Sequence, residues 1–286
     1  MQYYRRLPKF EYLAPKTVED ALAILGSKKS DVRITSGGTI VIHRMKERIG
    51  NRPFLMSLKE IKDLNYIKFN NKKGLSIGPT SSLQSIADSP IVNEKFSVLA
   101  DACRKLGTPQ LRNMGTIGGN LSCRFATAET IPVLIALGAA ASIAGSEGAR
   151  TVSMEDFYKE LKDGELLTEI SVPLPNANAK WGYRKFAVRE HYDFATVSAA
   201  AVVNIDKGKF ADVRLALGGV TLPTMRAKES EKLLSGKSVK DDMIVTAAQL
   251  PSESGNVGSD VYFAADYKKE LLRVVAKRAL KDAIGA

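Results

Sequence analysis

The sequence predicts an α+β protein built in two parts, and three observations carry that reading. The first half alternates short strands with helical stretches, and one strand runs straight into a glycine pair. A segment with the composition of a linker, Pro173-Leu174-Pro175-Asn176-Ala177-Asn178-Ala179, then interrupts the pattern. Beyond it three strands follow one another and helices close the chain. At 286 residues the length favours two domains over one.

Taken in order, Phe10 to Leu13 reads as a short strand, broken by Ala14-Pro15-Lys16. Thr17 can cap the helix that follows, Glu19 and Asp20 suit its positive end, and Ala21, Leu22, Ile24 and Leu25 give it an apolar face. Val32 to Thr35 is a strand, and Phe54 to Ser57 another, followed by a turn or helix over Lys59 to Leu64. Tyr66 to Phe69 and Leu75 to Ile77 alternate around Asn70-Asn71-Lys72-Lys73-Gly74, the pattern of a hairpin. Helices are expected from Ser81, over Val98 to Leu106, and over Glu129 to Leu137, where Gly138 is a stop signal. Ala139 to Ala144 and Leu166 to Val172 read as strands. After the linker come strands over Trp181 to Arg189, Thr196 to Ile205 and Val213 to Leu217, with a turn at Asp206-Lys207-Gly208-Lys209. The last helix, Ala264 to Ile284, sets Leu271, Leu272, Val275 and Leu280 opposite Lys and Arg.

Two glycine loops carry the chemistry. The first, Ser36-Gly37-Gly38-Thr39-Ile40, leaves the end of a strand, where α/β proteins often place ligand loops. The second is Gly115-Thr116-Ile117-Gly118-Gly119-Asn120-Leu121. Glycine lets backbone N–H groups approach a ligand with no Cβ in the way, which suits phosphate oxygens. Two such loops far apart in sequence point to two jaws on one extended diphosphate.

The bulk properties exclude more than they assign. Net charge is +11, but the cations are spread along the chain and aromatic residues are only 7%, so no basic–aromatic surface for single-stranded nucleic acid stands out. The expectation is a basic solvated surface and no nucleic-acid partner. No apolar run approaches the roughly 20 residues of a membrane span, and the first residues lack the apolar stretch of a signal peptide, so a cytoplasmic location is expected. Cys103 and Cys123 are too few for an iron–sulfur cluster and read as buried thiols, a single bridge between them being the other arrangement open. His43 and His191 show no ligand spacing, and no metal site is expected.

With these residues in hand, the chain resembles the FAD-binding medium subunits of the molybdenum hydroxylases, the family of carbon monoxide, nicotinate and quinoline dehydrogenases, 4-hydroxybenzoyl-CoA reductase and the flavin portion of xanthine dehydrogenase. The resemblance runs through Phe10-Glu11-Tyr12-Leu13-Ala14-Pro15-Lys16-Thr17-Val18-Glu19-Asp20-Ala21, both glycine loops, Asp163-Gly164-Glu165-Leu166-Leu167 with Pro173, the segment from Lys185 to Thr196, and Ala264-Ala265-Asp266-Tyr267. It implies a two-lobed FAD-binding domain of the vanillyl-alcohol-oxidase/PCMH type, with residues 1–60 as an N-terminal α/β lobe and 61–176 as an α+β lobe. A C-terminal α+β domain of a three-stranded antiparallel sheet and helices, residues 177–286, would follow.

Site roles follow from the resemblance in the same way. Ser36, Gly37, Gly38, Thr39 and Ile40 would form the first pyrophosphate loop, and Thr116, Ile117, Gly118, Gly119 and Asn120 the second. Glu129 falls where relatives carry an acid for the adenosine ribose hydroxyls. Leu106 and Leu167 match apolar positions near the flavin, and Lys185 a basic residue near its ring. Phe194 stands in a segment close to the flavin. No catalytic acid or base is implied, because the cofactor does the redox work. The insertion and cysteines that hold an extra cluster in 4-hydroxybenzoyl-CoA reductase are missing around Cys123.

The resemblance also implies partners: a large subunit with a molybdenum cofactor, a small subunit with two [2Fe–2S] clusters, and a dimer of heterotrimers. FAD would pass electrons between those clusters and NAD, a quinone or another acceptor. Two other readings compete. A self-contained FAD oxidoreductase of the same fold would need its own acid/base group. A non-enzymatic basic binding module would show no flavin and a steep salt dependence.

Overall fold

The structure, a computed structural model, describes residues 6–189, 192–220, 224–254 and 257–285. His191 and the first five residues lie outside them.

Three sheets organise the chain. The first is parallel, in the order β1-β3-β2, from β1 (Glu11–Leu13), β2 (Val32–Thr35) and β3 (Phe54–Ser57). Helix Val18–Lys28 connects β1 to β2 and starts where expected, with Asp20 N donating to Thr17 Oγ1 at 3.1 Å. Its Ala21 and Leu25 pack with Val32, Met56 and Ile61 in a small core. Leu166, from a later strand, completes that core and so ties the first lobe to the second.

The second sheet is antiparallel, in the order β4-β5-β8-β6-β7. Its strands are β4 (Ile67–Asn70), β5 (Gly74–Ile77), β6 (Ala140–Gly145), β7 (Gly148–Ser153) and β8 (Leu166–Val172). Sequence reading gives no strand at β7, which is an edge strand of mostly exposed polar residues with no apolar alternation to reveal it. Helices Leu83–Asp88, Ser97–Arg104 and Thr130–Ala136 cover this sheet and bury Ile86, Leu99, Leu134 and Ile77 together.

The third sheet runs β12-β11-β10-β9, from β9 (Ala179–Phe186), β10 (Val197–Asp206), β11 (Lys209–Gly218) and β12 (Met225–Arg226). The three long strands are those of the expected antiparallel sheet, and a two-residue strand is added at the edge. Lys207 and Gly208 both have positive φ, 47° and 73°, the geometry that lets a two-residue turn follow the twist of β10 and β11. The closing helix Ala265–Ile284 lays Leu272, Val275, Ala279 and Leu280 on this sheet.

The C-terminal part does not stand apart from the rest. Tyr183, Ala200 and Ala216 belong to the core of the second lobe, and Trp181 Nε1 donates to Ser97 Oγ at 2.8 Å. Among the described residues no helix is long and apolar enough to cross a membrane.

Candidate cofactor site

A cavity of about 530 Å³ lies between the two glycine loops. The first loop leaves β2 and enters helix Val41–Lys46. Gly38 has φ +77°, which turns the chain there at little steric cost. The N–H groups of Gly37, Gly38, Thr39 and Ile40 donate to nothing among the described residues. A row of four amides without an acceptor among the described residues, on residues that line a cavity, is the kind of donor set that suits an anion. Thr35 Oγ1 and Ser36 Oγ, at the base of the loop, are buried without a hydrogen-bond partner among the described residues.

The second loop is built differently. Thr116 caps helix Ile117–Ser122 by accepting from Gly119 N at 3.1 Å. Ile117 N donates to Ser81 O at 3.1 Å, Gly118 N to Pro79 O at 2.9 Å, and Asn120 N to Thr116 O at 2.9 Å. All four amides are therefore engaged within the chain. Gly118 serves packing, since a Cβ there would stand 2.6 Å from Pro79 Cβ and 2.7 Å from its carbonyl oxygen. What this loop offers a ligand is side chains. The Thr116 hydroxyl keeps its own proton. The Asn120 carboxamide, whose Oδ1 accepts from Thr130 Oγ1 at 2.6 Å, keeps its Nδ2 protons.

The loops touch. A Cβ on Gly37 would lie 2.0 Å from Met114 O and 2.8 Å from Met114 C, backbone atoms that cannot swing aside. Gly37→Ala is therefore expected to force the loops apart and to lower the thermal midpoint by several degrees, as an overpacking cost of about 1–3 kcal/mol would. Differential scanning fluorimetry of the variant checks this. An unchanged midpoint would mean that the two loops are not in contact.

Of the residues singled out from sequence, Ser36, Gly37, Gly38, Thr39, Ile40, Thr116, Gly118, Gly119, Asn120, Leu106 and Leu167 line the cavity. Ile117, Glu129 and Lys185 do not. Ile117 is fully buried in the second-lobe core. Glu129 is 1% exposed and sits in the protein interior with Lys185. Lys185 Nζ donates to Lys105 O at 2.6 Å, to Asp193 O at 2.9 Å and to Glu129 Oε1 at 3.3 Å, so all three of its protons are used. Burial pushes the Glu129 carboxyl above its usual range and Lys185 pulls it back, with burial the larger effect. The pair joins the C-terminal sheet to the second lobe through Lys105.

Several lining residues escaped sequence reading. Arg33, Arg44, Arg52 and Arg124 all face the cavity. Arg44 stacks over the Phe125 ring at 4.9 Å, and Phe125 meets Phe194 edge-on at 6.3 Å. Phe194 also lines the cavity and is 54% exposed, which puts an aromatic side chain at the rim. Cys123 lines the cavity as a free thiol, while Cys103 is a buried one whose pKa burial pushes up to about 12. The two are therefore not bridged.

Comparison with known proteins places the whole chain in one family. Residues 8–175 match the family described as FAD binding domain in molybdopterin dehydrogenase, and residues 181–283 match the CO dehydrogenase flavoprotein C-terminal domain. The chain is 32% identical to the glyceraldehyde dehydrogenase medium chain of Sulfolobus acidocaldarius, over 96% of this chain and 98% of that one. It is 30% identical to the carbon monoxide dehydrogenase medium chain of Hydrogenophaga pseudoflava, over 96% and 97%. Among solved structures, the carbon monoxide dehydrogenase of Hydrogenophaga pseudoflava that lacks the Mo-pyranopterin moiety of its cofactor superposes with a TM-score of 0.95. Identity there is 31%, with coverage of 98% and 99%. Quinoline 2-oxidoreductase from Pseudomonas putida 86 superposes with a TM-score of 0.91 at 30% identity, covering 98% and 99%.

Proposed function

Because the chain belongs to the FAD-binding medium subunits of the molybdenum hydroxylase-type dehydrogenases, we propose that it serves as the electron-transfer subunit of such a complex. FAD bound between the loops supplies the redox chemistry, linking the one-electron [2Fe–2S] clusters of a small partner to NAD, a quinone or another acceptor. A large partner holds the molybdenum cofactor and the organic substrate, and the assembly is a cytoplasmic dimer of heterotrimers. Residues 1–60 and 61–176 act as the two FAD lobes and 177–286 as the cover.

The observation that carries the reading is the division of labour around the cavity. Four free amides and two orphaned hydroxyls gather at the first loop, and Thr116 and Asn120 offer donors from the second. That is a donor set for a diphosphate. In this reading Gly37 to Ile40 hold one phosphate by backbone N–H, with Ser36 at their base. Thr116 and Asn120 hold the other, on a loop that Ile117 and Gly118 let pack tightly and whose Gly119 lines the cavity. Leu106 and Leu167 give the flavin apolar walls, with Phe194 at the rim. Glu129 and Lys185 act from behind the wall, by fixing the Asp193 backbone next to Phe194, so their part is positioning.

Affinity purification of the chain from its own cells tests the assignment. Flavin should be recovered together with one molybdenum-containing and one iron-containing chain. Recovery with flavin but with neither metal would contradict the subunit reading and favour a self-contained flavin oxidoreductase.

A further inference from the structure

Arg150, Arg184, Arg189, Arg226 and Arg273 each meet a carboxylate, at 2.5 to 3.2 Å. Arg33, Arg44 and Arg52 do not: among the described residues none of the three has a carboxylate within 4.0 Å, although all line the cavity. Arg33 is held by the Gly50 carbonyl, Arg44 by the Phe125 ring, and Arg52 has no hydrogen-bond partner among the described residues. The three are close enough to repel. Burial, then Arg52, then Arg44 lower the Arg33 pKa. Gathering like charges in a partly dry cavity costs stability, and an anion in their midst offsets that cost.

Their places in the chain bracket the free amides. Arg33 lies on β2 just before the first loop, and Arg44 on the helix just after it. Arg52 lies on the approach to β3, the neighbour of β2 in the sheet. Arg44 also reaches across to Phe125, close to Cys123, whose N–H donates to Gly119 O at 3.1 Å. A guanidinium fork between two loops is suited to bidentate contact with phosphate oxygens.

We propose that Arg44 and Arg52, supported by Arg33, form a phosphate-binding site at the mouth of this cavity, additional to the amides of the first loop. The phosphate has two possible sources: the diphosphate of FAD itself, which rests on the function proposed above, or a phosphate group on a second ligand that meets the loaded cavity, which does not.

The test uses Arg44→Gln, Arg52→Gln and the double variant. Arg273→Gln removes the same charge from a surface helix and is the control. Arg33 is left in place because it also holds Gly50. FAD, riboflavin and inorganic pyrophosphate are titrated onto the flavin-free chain by calorimetry, and pyrophosphate also onto the FAD-loaded chain. If the site serves the cofactor, each substitution weakens FAD about tenfold or more. Riboflavin is then unchanged, and pyrophosphate is silent on the loaded chain. If it serves a second ligand, FAD is unchanged, while pyrophosphate binds the loaded wild type and weakens about tenfold in the variants. The proposal is overturned if the double variant keeps FAD and pyrophosphate within about twofold of the control. A wild type that ignores FAD but binds pyrophosphate through Arg44 would overturn the FAD reading and leave the phosphate site standing.

Discussion

Gly119→Asp is expected to weaken FAD binding by more than about a hundredfold while leaving the fold in place. An added Cβ at Gly119 meets only Thr116 Oγ1, at 3.0 Å, and otherwise enters open space, so the second loop keeps its packing. The residue is in the first turn of helix Ile117–Ser122, where a carboxylate is electrostatically favoured in the empty chain. The same carboxylate faces the cavity that receives the diphosphate. Like charges forced together in that setting cost several kcal/mol, and about 2.7 kcal/mol is already a hundredfold. Gly119→Asn separates charge from bulk, since it has the same shape without the charge and should keep most of the affinity. Equal losses in the two variants would mean that sterics, and no anion, explain the effect.

Lys185→Met is expected to cost about 3–5 kcal/mol of stability, the usual penalty for leaving a buried partner charge uncompensated. Lys185 and Glu129 have side chains only 8% and 1% exposed. Removing the ammonium leaves Glu129 without its cation, its Oε2 already lacking a partner among the described residues, and releases the Lys105 and Asp193 carbonyls. The pH dependence has a definite sign. In the wild type burial raises the Glu129 pKa above 4.5 and Lys185 opposes it. Without Lys185 the folded-state pKa rises further, so the folded variant binds this proton more tightly than the unfolded chain does. Its stability then falls as pH climbs above 4.5 and levels off once the folded pKa is passed. The loss should accordingly be smaller at about pH 5 than at about pH 8. Urea unfolding at the two pH values measures it. A second substitution, Glu129→Leu, should recover much of the loss, because an apolar pair tolerates burial. A pH-independent loss of under about 1 kcal/mol would show that the pair is solvated and holds nothing together.

Local chemistry was legible in the sequence, and long-range pairing was not. The Thr17 cap, the β4–β5 hairpin and the strand that feeds the first glycine loop all depend on residues within a few positions of one another. The order β1-β3-β2 does not, because nothing in three short strands says that the last inserts between the others. Glycine spacing marked the second loop, but two of its amides, those of Ile117 and Gly118, are taken by Ser81 and Pro79, more than thirty residues upstream. Glu129 and Lys185 each stood out alone, yet their pairing appears only when the C-terminal sheet docks on the second lobe. The cavity arginines were hidden in an even spread of positive charge, since Arg33, Arg44 and Arg52 form no sequence cluster and are collected by the fold.

An absorbance titration of FAD onto the flavin-free chain, alone and within its purified complex, decides whether the two loops enclose an FAD site. Saturable, stoichiometric uptake that Gly119→Asp abolishes is the expected result. No uptake by the wild type in either form, or uptake that Gly119→Asp leaves intact, would contradict it.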